Sequence, residues 1–170
     1  MTRSIGYLAA AGLAALLLGG GPARADDPAL LTFQGGVFDV IQSDDEAAAF
    51  ALEYRHEPVW WQVKPFGGMM GTADGAFHGY AGIVVDVPLG DSFAFTIGFA
   101  PGYFHEGGGK DLGHALEFRS SGELAYVFEN KSRLGLMVNH ISNASLSDRN
   151  PGTEVLMLSY SVPVRKLFGE

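Results

Sequence analysis

His140 and Ser142 stand two residues apart, and Glu154 follows them across a stretch rich in turn formers, Asn143 to Thr153. A serine hydroxyl is a poor nucleophile until a base removes its proton. The base works best when a carboxylate fixes its tautomer and steadies the imidazolium. On a β-strand, His140 and Ser142 point to one face with Cα atoms about 6 to 7 Å apart. If the strands on either side pair as a hairpin centred near Ser147, His140 lies opposite Glu154. Facing residues of neighbouring strands hold their Cβ atoms about 4.5 to 5.5 Å apart, so the carboxylate reaches the imidazole. An oxyanion would find donors in Asn143, Asn150 or backbone N–H groups of the loop, and residue types alone do not choose among them. The competing reading makes His140, Ser142 and Glu154 incidental polar residues at strand ends, because so short a pattern recurs by chance.

The elements that must position these residues are strands. Period-2 alternation recurs in about eight segments, each near the ~9 to 11 residues a tilted transmembrane strand needs. Phe93, Phe95, Ile97 and Phe99 share one face, opposite Ala94, Thr96, Gly98 and Ala100. Between Gly113 and Glu129, Leu116, Phe118, Leu124, Tyr126 and Phe128 take one parity, and Glu117, Arg119 and Glu123 take the other. The remaining candidates are Leu31 to Ile41, Ala47 to His56, Val63 to Met70, Phe77 to Val87, Arg133 to Ser142 and Glu154 to Val164.

A soluble barrel turns its apolar parity inward, whereas a membrane barrel turns it to lipid and fills its interior with polar and small residues. Large residues paired with Gly, Ala and Thr across the pleat, and aromatics near strand ends, favour the membrane version. The expected fold is all-β, an eight-stranded antiparallel transmembrane β-barrel. The short Asn130-Lys131-Ser132 connection suits a periplasmic turn, and the long Asn143 to Thr153 loop suits the outer end. His140, Ser142 and Glu154 share the parity of Leu134, Leu136, Val138, Leu156 and Leu158, so the candidate site faces lipid at the outer end.

The first residues read as a secretory signal peptide over 1–25. Arg3 supplies the positive start, Ile5 to Leu18 the apolar run, and Ala23-Arg24-Ala25 the cleavage site, leaving 26–170 as one barrel domain. A net charge of −8 with no basic patch argues against nucleic acid as a partner. With no cysteine, disulfides and thiolate metal sites are excluded. His56, His78, His105 and His114 show no metal-ligand spacing, so no metal is expected and their roles stay open.

Taken together, His140-Ile141-Ser142-Asn143-Ala144, Asn150-Pro151-Gly152 and Glu154 resemble the PagL-type lipid A 3-O-deacylases. The likeness runs from about Phe66-Gly67-Gly68 onward. It implies His140 as base, Ser142 as nucleophile and Glu154 as orienting acid, with Asn150 in the oxyanion hole. It also implies a backbone N–H donor at Ser145, where the family often carries glycine. By the same resemblance the protein is an outer-membrane enzyme of a Gram-negative bacterium. Its substrate is lipid A of lipopolysaccharide in the outer leaflet, it needs no cofactor, and its oligomeric state is open, a homodimer included. Two rivals remain: a non-enzymatic structural or adhesive outer-membrane barrel, and a soluble periplasmic barrel that binds an apolar ligand inside.

Overall fold

The computed structural model describes residues 27–167, so the signal peptide expected over 1–25 lies outside the described residues. Eight strands run in sequence order: β1 (Leu30–Phe38), β2 (Ala47–Arg55), β3 (Val63–Thr72), β4 (Phe77–Leu89), β5 (Phe93–His105), β6 (Leu116–Val127), β7 (Arg133–Ser142) and β8 (Thr153–Pro163). A short helical turn, α1 (Val164–Leu167), follows. Each strand pairs antiparallel with its neighbours, and β1 closes on β8 from Leu30 opposite Pro163 to Phe38 opposite Val155. Closure leaves no open edge, as a backbone immersed in lipid requires.

The alternation read from the sequence is the alternation of the walls. Along β7, Arg133, Gly135, Met137, Asn139 and Ile141 are buried inside, while Leu134, Leu136, Val138 and His140 are exposed outside. Phe33, Phe50, Met69, Ile83, Phe99, Leu124 and Leu158 extend this apolar exterior around the barrel. At one end of the wall, Tyr126 meets Phe93 and Phe128 edge-on, with ring centroids 5.4 and 5.0 Å away. Such an aromatic girdle marks a membrane boundary.

The interior is ionic. Arg55 pairs with Glu53 at 2.7 Å and with Glu123 at 2.5 Å. Arg119 lies 4.5 Å from the centre of the Tyr80 ring. Nearer the girdle end, Asp86 receives Lys64 at 2.9 Å, Arg133 at 2.8 Å and the Thr96 hydroxyl at 2.6 Å. Buried charges persist only when paired. A lumen filled in this way does not suit an apolar ligand, which removes the soluble ligand-binding rival.

The three-residue connection Gly90–Ser92 between β4 and β5 lies at the girdle end, and the two longest connections, 106–115 and 143–152, lie at the other. The long loops therefore mark the outer end.

Candidate active site

β7 and β8 carry the three residues. Their register sets His140 opposite Glu154, and the imidazole Nδ1 and Glu154 Oε1 are 3.0 Å apart. Both side chains point outward because they share the apolar parity of their strands. The imidazole stays half exposed and Glu154 less so, at 51% and 21% of the side chain. A carboxylate on Nδ1 leaves Nε2 for proton transfer.

Ser142 ends β7 on the same face. Gly152, in the left-handed conformation at φ 62°, lies beneath both partners. A Cβ there would stand 3.2 Å from His140 Cε1 and 3.6 Å from Ser142 Cβ. Glycine thus leaves room for the imidazole against the loop backbone at residue 152. Among the described residues no hydrogen bond yet joins the Ser142 hydroxyl to the ring. Catalytic hydrogen bonds of this kind commonly tighten only when substrate is bound.

The loop leaving Ser142 turns sharply. Leu146 N–H donates to Asn143 C=O at 3.0 Å, and the two central residues have positive φ, Ala144 at 53° and Ser145 at 64°. Two left-handed residues in succession are the signature of a type I′ turn, whose preferred residues are Asn and Gly. Ser145 therefore takes up a backbone conformation that glycine would adopt without strain. Asn150 returns to the turn, its Oδ1 accepting the Asn143 N–H at 3.0 Å.

Asn143 does not present its side chain to the site, contrary to expectation. Its parity is that of Asn139 and Ile141, so it turns inward and is wholly buried. There Nδ2 donates to Leu112 C=O at 2.9 Å and Arg149 C=O at 2.7 Å. Asn143 binds the 143–152 loop to the 106–115 loop. Arg149 and Asp111 add an ion pair at 2.8 Å between the same loops. The Gly113 N–H and the Arg149 guanidinium hold the Asp111 carboxyl below its ordinary range.

A second clamp rests on Asp39, just past β1. Asp39 is buried, receives Lys110 at 2.6 Å and the Thr153 hydroxyl at 3.0 Å, and so joins three outer segments beside Glu154. Burial raises its pKa, but Lys110, the Asp45 N–H and Thr153 together outweigh burial and depress it. A depressed carboxylate contributes stability that is complete above the unfolded value of about 3.9 and is lost as pH falls through the folded value. Asp39→Asn is therefore expected to lower the thermal midpoint in detergent by a few degrees at pH 7, and by progressively less below about pH 4. A deficit of equal size at every pH would contradict this role.

The other histidines lie apart from His140 and Glu154. His78 is wholly buried in the lumen, His56 contacts Glu57 C=O at 2.9 Å near the girdle end, and His105 and His114 sit at the outer rim. Among the described residues, no group of three or more His, Asp or Glu is placed to hold a metal ion.

Comparison with known proteins bears on the barrel and its family. A family model described as "Lipid A 3-O-deacylase (PagL)" matches residues 48–163. The lipid A deacylase PagL of Bordetella bronchiseptica is 26% identical over 149 residues, covering 75% of this chain and 83% of that protein. The crystal structure of the outer membrane enzyme PagL superposes with a TM-score of 0.63 at 23% identity, covering 79% of this chain and 99% of that one. The outer membrane protein Ail of Yersinia pestis superposes with a TM-score of 0.50 at 13% identity, over 80% of this chain and 99% of that one. The last two likenesses speak for the barrel alone.

Proposed function

The chain belongs to the lipid A 3-O-deacylase (PagL) family, and from that premise we propose that Ser142, His140 and Glu154 form its hydrolytic triad. Membership makes the protein an outer-membrane lipid A deacylase. The observation that carries the finer assignment is the 3.0 Å contact between His140 Nδ1 and Glu154 Oε1 on the lipid-facing wall, beside Ser142.

The substrate ester joins an acyl chain to the 3-oxygen of a lipid A sugar. Ser142 Oγ attacks its carbonyl carbon while His140 Nε2 takes the hydroxyl proton. Collapse of the tetrahedral intermediate breaks the bond to the sugar oxygen, which leaves with the proton held by His140. Water then attacks the acyl-enzyme with His140 again as base, freeing the fatty acid and restoring Ser142. The oxyanion forms beside the 143–146 turn. The Asn143 N–H engages Asn150 Oδ1 and so turns Asn150 Nδ2 to act as a donor, and the Ser145 amide is the second donor. The chemistry draws on side chains and backbone amides and calls on no cofactor.

A lipid-facing site suits an ester that never leaves the outer leaflet. Polar residues on such a surface are costly unless they serve function, which weighs against the non-enzymatic barrel. Expression in a Gram-negative host followed by mass spectrometry of extracted lipid A tests the reading. Loss of one 3-hydroxyacyl chain from the 3-position is expected, and unchanged lipid A from a folded barrel would sink it.

A further inference from the structure

Set the tyrosines aside, and the outward-facing strand residues among those described include five polar side chains: His105, Ser120, His140, Ser142 and Glu154. His105 lies at the last position of β5, at the outer rim. Three others are the proposed triad. Ser120 is the fifth, and unlike the others it sits mid-strand, exposed on the apolar wall, with Leu116 and Phe118 on one side of it and Leu124 and Tyr126 on the other.

Its place in the register is specific. Ser120 pairs directly with His140, on the flank of the histidine opposite Glu154, and Phe118 pairs with Ser142. Phe118 stacks on Phe99 with ring centroids 5.9 Å apart and planes 13° from parallel, walling the site on the β5 side. Ser120 therefore lies one outward-facing step deeper into the membrane than the residue facing the nucleophile. Diagonal neighbours across a strand pair have Cα atoms about 7 to 8 Å apart, which sets the span from Ser142 to Ser120. Beyond it, Gly122 leaves the wall low beside the Phe95 ring, where a Cβ would meet only ring carbons at 3.7 and 3.9 Å.

An acyl chain esterified to Ser142 runs from the outer rim toward the bilayer centre, and the wall lowered at Gly122 opens this flank to it. The third carbon of that chain falls within the span between the two serines. We propose that Ser120 is a specificity-determining residue whose hydroxyl hydrogen-bonds the 3-hydroxyl of the scissile acyl chain. The inference rests on the triad reading, which places the acyl carbonyl at Ser142. A hydroxyl in the lipid phase lacks water as a partner, so a fixed partner on the wall separates 3-hydroxyacyl chains from plain ones.

The test compares two glucosamine 1-phosphate esters, one with a 3-hydroxytetradecanoyl chain and one with tetradecanoyl, in non-ionic detergent micelles. For Ser120→Ala, kcat/KM on the hydroxylated ester is expected to fall about tenfold, the size of one neutral hydrogen bond, with the plain ester unchanged. Ser120→Thr, which keeps the hydroxyl, should retain most of the preference. An equal fall on both esters would place Ser120 in the chemistry of the triad instead, and no fall on either would remove it from the site. Both outcomes overturn the hydroxyl reading while leaving the triad standing. Hydrolysis that survives Ser142→Ala would overturn the triad and the Ser120 assignment together.

Discussion

Ser142→Ala is expected to abolish lipid A deacylation, lowering the rate by at least ~10³-fold, the scale on which loss of a serine nucleophile acts in a triad. The barrel itself should be unaffected. Ser142 ends β7 at the outer rim, only partly covered, and its side chain faces outward rather than into the ionic lumen. Removing its hydroxyl leaves no buried partner unsatisfied and no cavity behind it. Thermal unfolding and heat-modifiable migration in detergent should therefore match the wild type within experimental error, while mass spectrometry shows lipid A intact. His140→Ala should cost a comparable factor, and the double variant little more than either single one, because residues that act as a unit are strongly non-additive. A Ser142→Ala protein that still releases the acyl chain would require another nucleophile. Ser120, beside His140, would be the first to examine.

That a second serine flanks the histidine shows what the sequence makes legible and what it does not. The parity of β7 is plain in Leu134, Leu136 and Val138, and β7 folds over Arg133 to Ser142 as the alternation predicts. The hairpin follows from the same pattern, and its centre near Ser147 brings His140 opposite Glu154. The inward turn of Asn143 was equally readable, since it continues the parity of Asn139 and Ile141.

Ser120 is different. Its membership of the apolar face follows from Leu116, Phe118 and Leu124, but its neighbour on β7 depends on the register between β6 and β7. That register passes through the 128–132 turn, where Ser132 N–H bonds Asn130 Oδ1 at 2.9 Å and Lys131 adopts φ 67°. A shift of one residue there would turn one strand's faces over relative to the other, and local sequence does not fix that count. The ties among the outer loops are likewise long-range. Lys110 to Asp39 and Asn143 to Leu112 join segments far apart in sequence, and only closure of the barrel brings them together.

Glu154→Gln probes the remaining member of the proposed triad, and its expected result is a loss of ~10² to 10⁴ in kcat with the fold preserved. The substitution keeps size and hydrogen-bonding reach, so packing at the start of β8 does not change. The backbone carbonyl of residue 154 continues to accept the Val40 N–H at 3.0 Å. What changes is the partner offered to His140. A carboxylate only accepts, so it holds the proton on Nδ1 and leaves Nε2 basic. A glutamine can turn its NH₂ to Nδ1, which places the ring proton on Nε2 and removes the base that Ser142 needs. The carboxylate's charge, which steadies the imidazolium as it forms, is lost as well. Glu154→Asp should be milder, because it keeps the charge, though on a side chain one methylene too short to hold the 3.0 Å contact unchanged. The ordering wild type, Asp, Gln in kcat at matched thermal midpoints follows if Glu154 acts through the tautomer and charge of His140. If Glu154→Gln instead lowered the midpoint in step with activity, the carboxylate would be serving the β7–β8 hairpin and the triad would reduce to a dyad.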